Sequence, residues 1–273
     1  MNKDPTARWR VAEGARLSLA RTNPRATDGA PGDKEATRAA CDELRAKLVE
    51  QQAKLYAEHG QSLLVVLQAM DTGGKDGAIR NVFSGVNPAG VTVTSFKQPT
   101  AEELSHDFLW RIHRATPEHG QIAVFNRSHY EDVLIVRVHG LVPPKGIKAR
   151  YGHIRAFEAE LADASTRVVK FYLHISKDEQ RARLQSRLDD PAKHWKFAVG
   201  DLDERKLWPQ YQRAFTDTIT ATTTAAAPWY VIPADRKWYR DWAILTILTR
   251  TLREMNPRFP TAPDGLVDLV IPA

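Results

Sequence analysis

Short β-branched runs alternate with longer segments of helical period along most of the chain. Residues 63–68, LLVVLQ, form an apolar run of strand length. Residues 91–96 alternate and are β-branched, and 122–125, 168–175 and 229–232 complete a set of five predicted strands. Helical spacing marks 36–58, where Leu44, Leu48 and Leu55 recur one turn after Cys41. Further helices are predicted from Gly77 onward and over 102–115, 130–138, 147–164, 178–188, 207–220 and 237–255. Asp33 is placed to cap the first helix and Gly60 to end it. Pro99-Thr100 followed by Glu103 has the form of a capping box. Residues 193–203 show no period and are aromatic and basic.

Strands that alternate with helices at this spacing pair in parallel through right-handed crossovers. The expected fold is therefore α/β, a five-stranded parallel sheet between two helical layers. Residues 1–33 read as an extended N-terminal arm with a short ordered piece at 9–17. Residues 34–260 read as one domain and 261–273 as a C-terminal tail. Ligands in open sheets of this type sit beyond the carboxyl ends of the strands. Four segments fall there: the glycine turn after 63–68, Asn126-Arg127-Ser128, Ser176-Lys177 and Pro233-Ala234-Asp235-Arg236.

The glycine turn concentrates the chemistry. After the first apolar run come Asp71, Thr72, Gly73, Gly74, Lys75, Asp76 and Gly77, and then a helical pattern. Strand, glycine turn, lysine and helix is the order of a phosphate-binding loop. Amide groups at a helix N-terminus point at an anion, and glycines let the backbone approach it closely. The match to G-x-x-x-x-G-K-[ST] is partial: Ala69 holds the first glycine position and Asp76 the hydroxyl position. Asp71 and Asp76 flank the lysine, and either suits a hard cation. An ordinary turn with a solvated lysine is the alternative.

The remaining candidates lie on other strand ends. Asn126 stands where a Walker-B carboxylate is expected, with Glu131 and Asp132 about a turn later. Those acids either favour a helix dipole or face an acceptor whose phosphate Arg127 grips. Arg183 and Arg187 share a helix face, and Lys193, His194, Trp195 and Lys196 continue the basic run. That face is either solvated or part of a flap over the phosphate loop. Arg236 or Lys237 reaches the same cleft, or caps the last helix. Cys41 reads as a small core residue, and His106, His113, His129 and His139 as structural or solvated.

Composition narrows the class without naming a partner. The 273 residues are 42% hydrophobic and 26% charged, with one cysteine and a net charge of +6. Such a charge suits a polyanion only if focused in a cleft, and does not by itself indicate nucleic acid. No apolar run is long enough to span a bilayer, and the first residues lack a signal-peptide core. The expectation is a cytoplasmic protein with no membrane or nucleic-acid partner.

Taken together, several blocks resemble the family-2 polyphosphate kinases over about 48–260. They are Ala69-Met70-Asp71-Thr72-Gly73-Gly74-Lys75-Asp76-Gly77, Asn87-Pro88-Ala89-Gly90-Val91 and Ser95-Phe96-Lys97-Gln98-Pro99. They continue with Glu102-Glu103-Leu104, Asp107-Phe108-Leu109-Trp110-Arg111, the run from Phe125 to Leu134, and Trp195-Lys196. The resemblance implies a P-loop kinase fold with a helical lid at about 185–215. It implies phosphoryl transfer between inorganic polyphosphate and adenine nucleotides, with guanine nucleotides as further acceptors, and Mg2+ or Mn2+ as cofactor. On this resemblance Asp71, Lys75 and Arg127 are catalytic, and Asp71 holds the metal. Gly73, Gly74, Lys75, Asp76, Gly77, Arg80, Arg127, Arg187 and Lys193 bind phosphate. Asn126, Glu131 and Asp132 bind nucleotide. Many members carry Asp in place of Asn126 and Asn in place of Glu131. The form seen here resembles a third subclass that accepts both mono- and diphosphates. A homodimer or homotetramer is expected. An ATP-dependent nucleotide kinase and an inactive polyanion-binding protein are the competing readings.

Overall fold

The computed structural model describes residues 4–263 and residue 271. Five parallel strands form its sheet: β1 (Ser62–Ala69), β2 (Val91–Ser95), β3 (Ile122–Asn126), β4 (Thr166–His174) and β5 (Trp229–Pro233), in the order β2-β3-β1-β4-β5. Every residue of the central β1 is buried. Alternation along β1 sends its side chains into two cores. Leu63, Val65, Leu67 and Ala69 pack with helices α1 (Lys34–Glu58), α2 (Lys75–Val82) and α10 (Lys237–Met255). Leu64 and Val66 pack on the other face with α6 (Pro144–Asp163) and α9 (Trp208–Thr222). Asp33 caps α1 by accepting from Ala36 N at 2.9 Å, as its position in the sequence predicts.

The helix expected over 102–115 is broken in two, α3 (Ala101–Ser105) and α4 (Trp110–His113). Thr100 and Glu103 form the capping box, but His106 is extended and Asp107 Oδ1 accepts from Leu109 N at 2.9 Å. A side chain that hydrogen-bonds two residues ahead offers the backbone an alternative to the helix. The helix expected over 130–138 is a 3-10 turn, His129–Val133, followed by the short α5 (Ile135–Val138). Residues 193–203, expected to be irregular, fall in a 3-10 turn (Pro191–Lys196) and α8 (Gly200–Lys206). These follow α7 (Lys177–Leu188).

The N-terminal residues are docked. Val11 N donates to Trp229 O at 2.9 Å and Val231 N to Trp9 O at 2.8 Å. Trp9 lies edge-on to Trp242, with ring centroids 5.4 Å apart. This segment covers the outer edge of β5, which would otherwise present unpaired backbone groups. The expected C-terminal tail lies mostly outside the described residues.

Candidate active site

β1 ends in a turn that leads straight into α2. Thr72 has φ of 59° and Gly74, the N-cap of α2, φ of 95°. Gly73 is required by space: a Cβ there would fall 2.4 Å from Ala69 Cβ and 2.8 Å from Met70 O. The turn directs the first amides of α2 to the strand ends, where an anion is favoured. Lys75 is half-buried beside them, and its Nζ donates to Ala69 O at 3.4 Å. Burial and the nearby Arg127 lower its pKa, while Asp71, Glu131 and Asp76 oppose that shift.

The loop after β3 meets this turn twice. Asn126 Nδ2 donates to Asp76 Oδ1 at 2.7 Å, and Arg127 Nη2 donates to Asp71 Oδ1 at 3.0 Å. Arg127 has φ of 62°, a conformation that a non-glycine residue keeps only when its surroundings hold it there. Burial works against the Arg127 charge, but Glu131 and Asp71 outweigh it and raise its pKa.

A cleft of about 770 Å³ opens over these groups. Asp71, Gly73, Gly74, Lys75, Asp76, Gly77, Arg80, Asn126, Arg127, Arg187 and Lys193 all line it. Ten basic side chains face it against four acidic ones, whereas the whole chain has 39 against 33. The positive charge is thus concentrated where the strands end, which is the condition for binding a polyanion.

A family model described as Polyphosphate kinase 2 (PPK2) matches residues 32–260. The chain belongs to the polyphosphate kinase 2 family. It is 51% identical over 264 residues to an AMP/ADP-polyphosphate phosphotransferase of Meiothermus ruber, covering 97% of this chain and 99% of that protein. It is 42% identical to an ADP-polyphosphate phosphotransferase of Rhodopseudomonas palustris, covering 94% and 93%. The crystal structure of Polyphosphate Kinase 2 from Arthrobacter aurescens TC1 superposes with a TM-score of 0.94 at 44% identity, over 97% of this chain and 95% of that one. The chain is thus a polyphosphate kinase with the α/β fold that its sequence predicts.

Two expected nucleotide contacts of this polyphosphate kinase are placed differently from the main cleft. Glu131 lines a neighbouring cavity of about 200 Å³, together with Asp71, Arg127, Glu204 and Tyr211. Burial raises its pKa against the pull of Arg127 and Lys75. The Gln68 amide fits best with its nitrogen donating to Glu131 Oε1 at 2.9 Å and its oxygen accepting from Ser128 N at 3.1 Å. Asp132 turns away from both cavities. It stands 3.8 Å from Arg111 and 3.6 Å from Arg150, and burial pushes its carboxyl up to about 6. These adjacent acids thus face different surroundings, with Glu131 on the smaller cavity and Asp132 beside Arg111 and Arg150.

Other cleft residues went unnoticed or were left open in the sequence. Arg240 is 1% exposed, donates to Gly74 O at 3.1 Å and is paired with Asp241 at 2.6 Å. Arg183 Nη1 donates to Thr72 O at 3.1 Å, and its Nη2 to Ala234 O at 2.7 Å. Both arginines therefore hold phosphate-loop carbonyls. Lys237 lines the cleft, whereas Arg236 donates to Arg25 O in the N-terminal segment. The segment 185–215 contributes Arg187, Lys193, Lys196 and Asp201. Spacing pairs Arg183 with Arg187 on one helix face, and both line the cleft. Nothing local marks Arg240, which sits in the first turn of α10 among other polar and aromatic residues.

Proposed function

We propose that this chain transfers a phosphoryl group between inorganic polyphosphate and adenine nucleotides, with both AMP and ADP as acceptors and guanine nucleotides as further ones. The observation that carries this reading is the ten-to-four excess of cations in a cleft that ends on a glycine turn and a helix N-terminus. The dual acceptor range is supported by Glu131 and by the name of the Meiothermus ruber relative. The Rhodopseudomonas palustris relative, named for ADP alone, makes the acceptor range a matter for experiment.

Polyphosphate lies along the basic cleft. Lys75 and the α2 amides hold the phosphate that is transferred, and Arg127 spans it from the other loop. Arg187 and Lys193, from a lid at 185–215, screen the remaining charge and keep water out. Because little covalent work falls to the protein, positioning and charge neutralisation supply most of the rate.

The donor set suits a divalent cation. Asp71 and Asp76 offer hard carboxylate oxygens beside the phosphate turn. Among the described residues no cluster of three His, Cys, Asp or Glu side chains could cage a metal. That pattern fits Mg2+ or Mn2+, which take one or two carboxylates and complete their shell with phosphate oxygens and water. Asp71 would hold the ion, which would neutralise charge shared by donor and acceptor phosphates. Self-association to a dimer or tetramer rests on the family resemblance, and light scattering measures it.

The test is purified protein with Mg2+ and long-chain polyphosphate, given AMP alone or ADP alone without ATP, with the products resolved by chromatography. Formation of ADP from AMP and of ATP from ADP is expected. Turnover only with ATP as donor would favour an ordinary nucleotide kinase. Polyphosphate binding without turnover would favour an inactive polyanion-binding protein.

A further inference from the structure

Residues 126–131 face two ways. Asn126, Arg127 and Glu131 line the cleft or the cavity beside it, while Ser128, His129 and Tyr130 have no exposed surface. Beneath them lies a buried charged network. Tyr130 Oη donates to Glu158 Oε1 at 2.7 Å. Lys170 Nζ donates to Glu158 Oε2 at 2.5 Å, to Tyr130 Oη at 2.9 Å and to Thr222 O at 2.8 Å. His129 Nε2 is 3.4 Å from the same Glu158 Oε1. The Tyr130 ring meets Trp229 edge-on, with centroids 4.7 Å apart. Glu158 comes from α6, Lys170 from β4, and Thr222 from the end of α9.

Stability alone does not account for this arrangement. A buried ion pair loses so much hydration that apolar residues of similar volume often serve as well or better. The network does fix one point of the loop. Arg127 N is bonded to Leu67 O at 3.1 Å, and Tyr130 is pinned three residues later. Between these two anchors the backbone holds the positive φ at Arg127.

We propose that Tyr130, Glu158 and Lys170 are positioning residues for Arg127 and Glu131. They act from below the cleft, without touching substrate. By clamping Tyr130 they keep the Arg127 guanidinium on Asp71 and the Glu131 carboxylate beside Arg127 and Lys75. The proposal rests on the phosphotransfer reading above for its kinetic readout, but not for its structural one.

The test starts from Tyr130→Phe, which removes one oxygen and leaves the ring against Trp229. Hydrogen exchange should quicken over 126–131 while α1 and α10 stay as protected as in the parent. The kcat should fall about ten- to hundredfold, the scale expected for a misplaced catalytic group. The KM for polyphosphate should stay within about twofold, because the other cleft cations still hold the chain. The decisive step is a double-mutant cycle with Arg127→Lys. If Tyr130 acts through Arg127, the double variant loses clearly less than the product of the single losses. Multiplicative losses, an unchanged kcat or unchanged exchange over 126–131 would each overturn the proposal. Should Tyr130→Phe fail to fold, Glu158→Gln is carried through the same measurements. A parent without any phosphotransfer would count against the proposed function instead, and the exchange result would still decide the clamp.

Discussion

Arg127 and Asp71 join the loop after β3 to the loop after β1 through a 3.0 Å ion pair. Both loops are strained where they meet, with φ of 62° at Arg127 and 59° at Thr72. Strained residues persist where the surroundings over-determine them, and they cluster at functional sites. The pair also orders the chemistry. Arg127 occupies one Asp71 oxygen and so ties the loop after β3 to the turn that carries Lys75.

Lys75→Ala should lower turnover by about 10²- to 10³-fold, the scale seen when one preorganised donor to a developing charge is removed. Lys75 is half-buried and contributes no apolar core contact, so the thermal midpoint should change little. Circular dichroism and the polyphosphate-dependent assay check the two halves of this expectation. Turnover near the parent value in a folded variant would remove Lys75 from the mechanism.

Arg187→Ala should act on the polyanion more than on the nucleotide. Arg187 lines the cleft, with its Nη1 donating to Lys196 O at 2.8 Å and ion-paired with Asp201 at 3.7 Å. The variant should raise the KM for polyphosphate several-fold, leave the nucleotide KM nearly unchanged and flatten the salt dependence of binding. Fixed charges facing a polyanion are screened by added ions, so each cation removed shallows that slope. An unchanged slope would take Arg187 out of the polyphosphate path.

Asp132 gives a pH dependence of known sign. Burial lifts its folded pKa to about 6 from its ordinary value of 3.8. A carboxyl raised on folding binds its proton more tightly in the native state, so stability falls as pH rises from about 4 to about 6. The full effect is about 3 kcal/mol. In Asp132→Asn this pH-linked loss is absent, whatever constant cost follows from changing the partner of Arg111 and Arg150. Urea unfolding of both proteins at pH 4 and pH 7 should therefore show the variant gaining on the parent by up to that amount. An equal difference at both pH values would mean that Asp132 ionises normally.

Asp132 also marks where sequence reading stops. The phosphate turn was legible because a buried strand, two glycines and a lysine leave few alternatives, and the five strands followed from their apolar runs. The 3-10 turn at His129–Val133 was not, since sequence alone does not tell a 3-10 turn from an α-helical one. What surrounds Glu131 and Asp132 is set by the elements packed around the turn, Arg111 from α4 and Arg150 from α6 beside Asp132. The break at His106 depends on an Asp107 side chain bonding the backbone. Arg240 reaches Gly74 only because α10 passes beside the phosphate turn, a tertiary relationship with no local signal. Docking of the N-terminal segment rests on a few apolar side chains, Trp9, Val11 and Leu19, too sparse to show a period.

Acceptor range is expected to depend on Glu131. AMP and ADP differ by one phosphate, so an enzyme using both must present either terminal phosphate at the same transfer point. On the proposed reading, Glu131 senses that difference. It lines the smaller cavity with Asp71, Arg127 and Tyr211, and burial raises its pKa against the pull of Arg127 and Lys75. Its negative charge repels an acceptor phosphate to the extent that those cations do not screen it. ADP bears more charge than AMP and should feel that repulsion more. Glu131→Asn removes the charge while keeping a hydrogen-bonding side chain, so the ratio of ADP to AMP turnover should rise. One interaction of about 1 kcal/mol changes such a ratio about fivefold. Initial rates with saturating polyphosphate and each acceptor in turn, parent against variant, measure it directly. A ratio that stays put, or moves toward AMP, would show that repulsion by Glu131 does not set the range. AMP left unphosphorylated by the parent, while ADP is readily converted to ATP, would refute the dual acceptor range itself and leave polyphosphate-driven transfer to ADP standing.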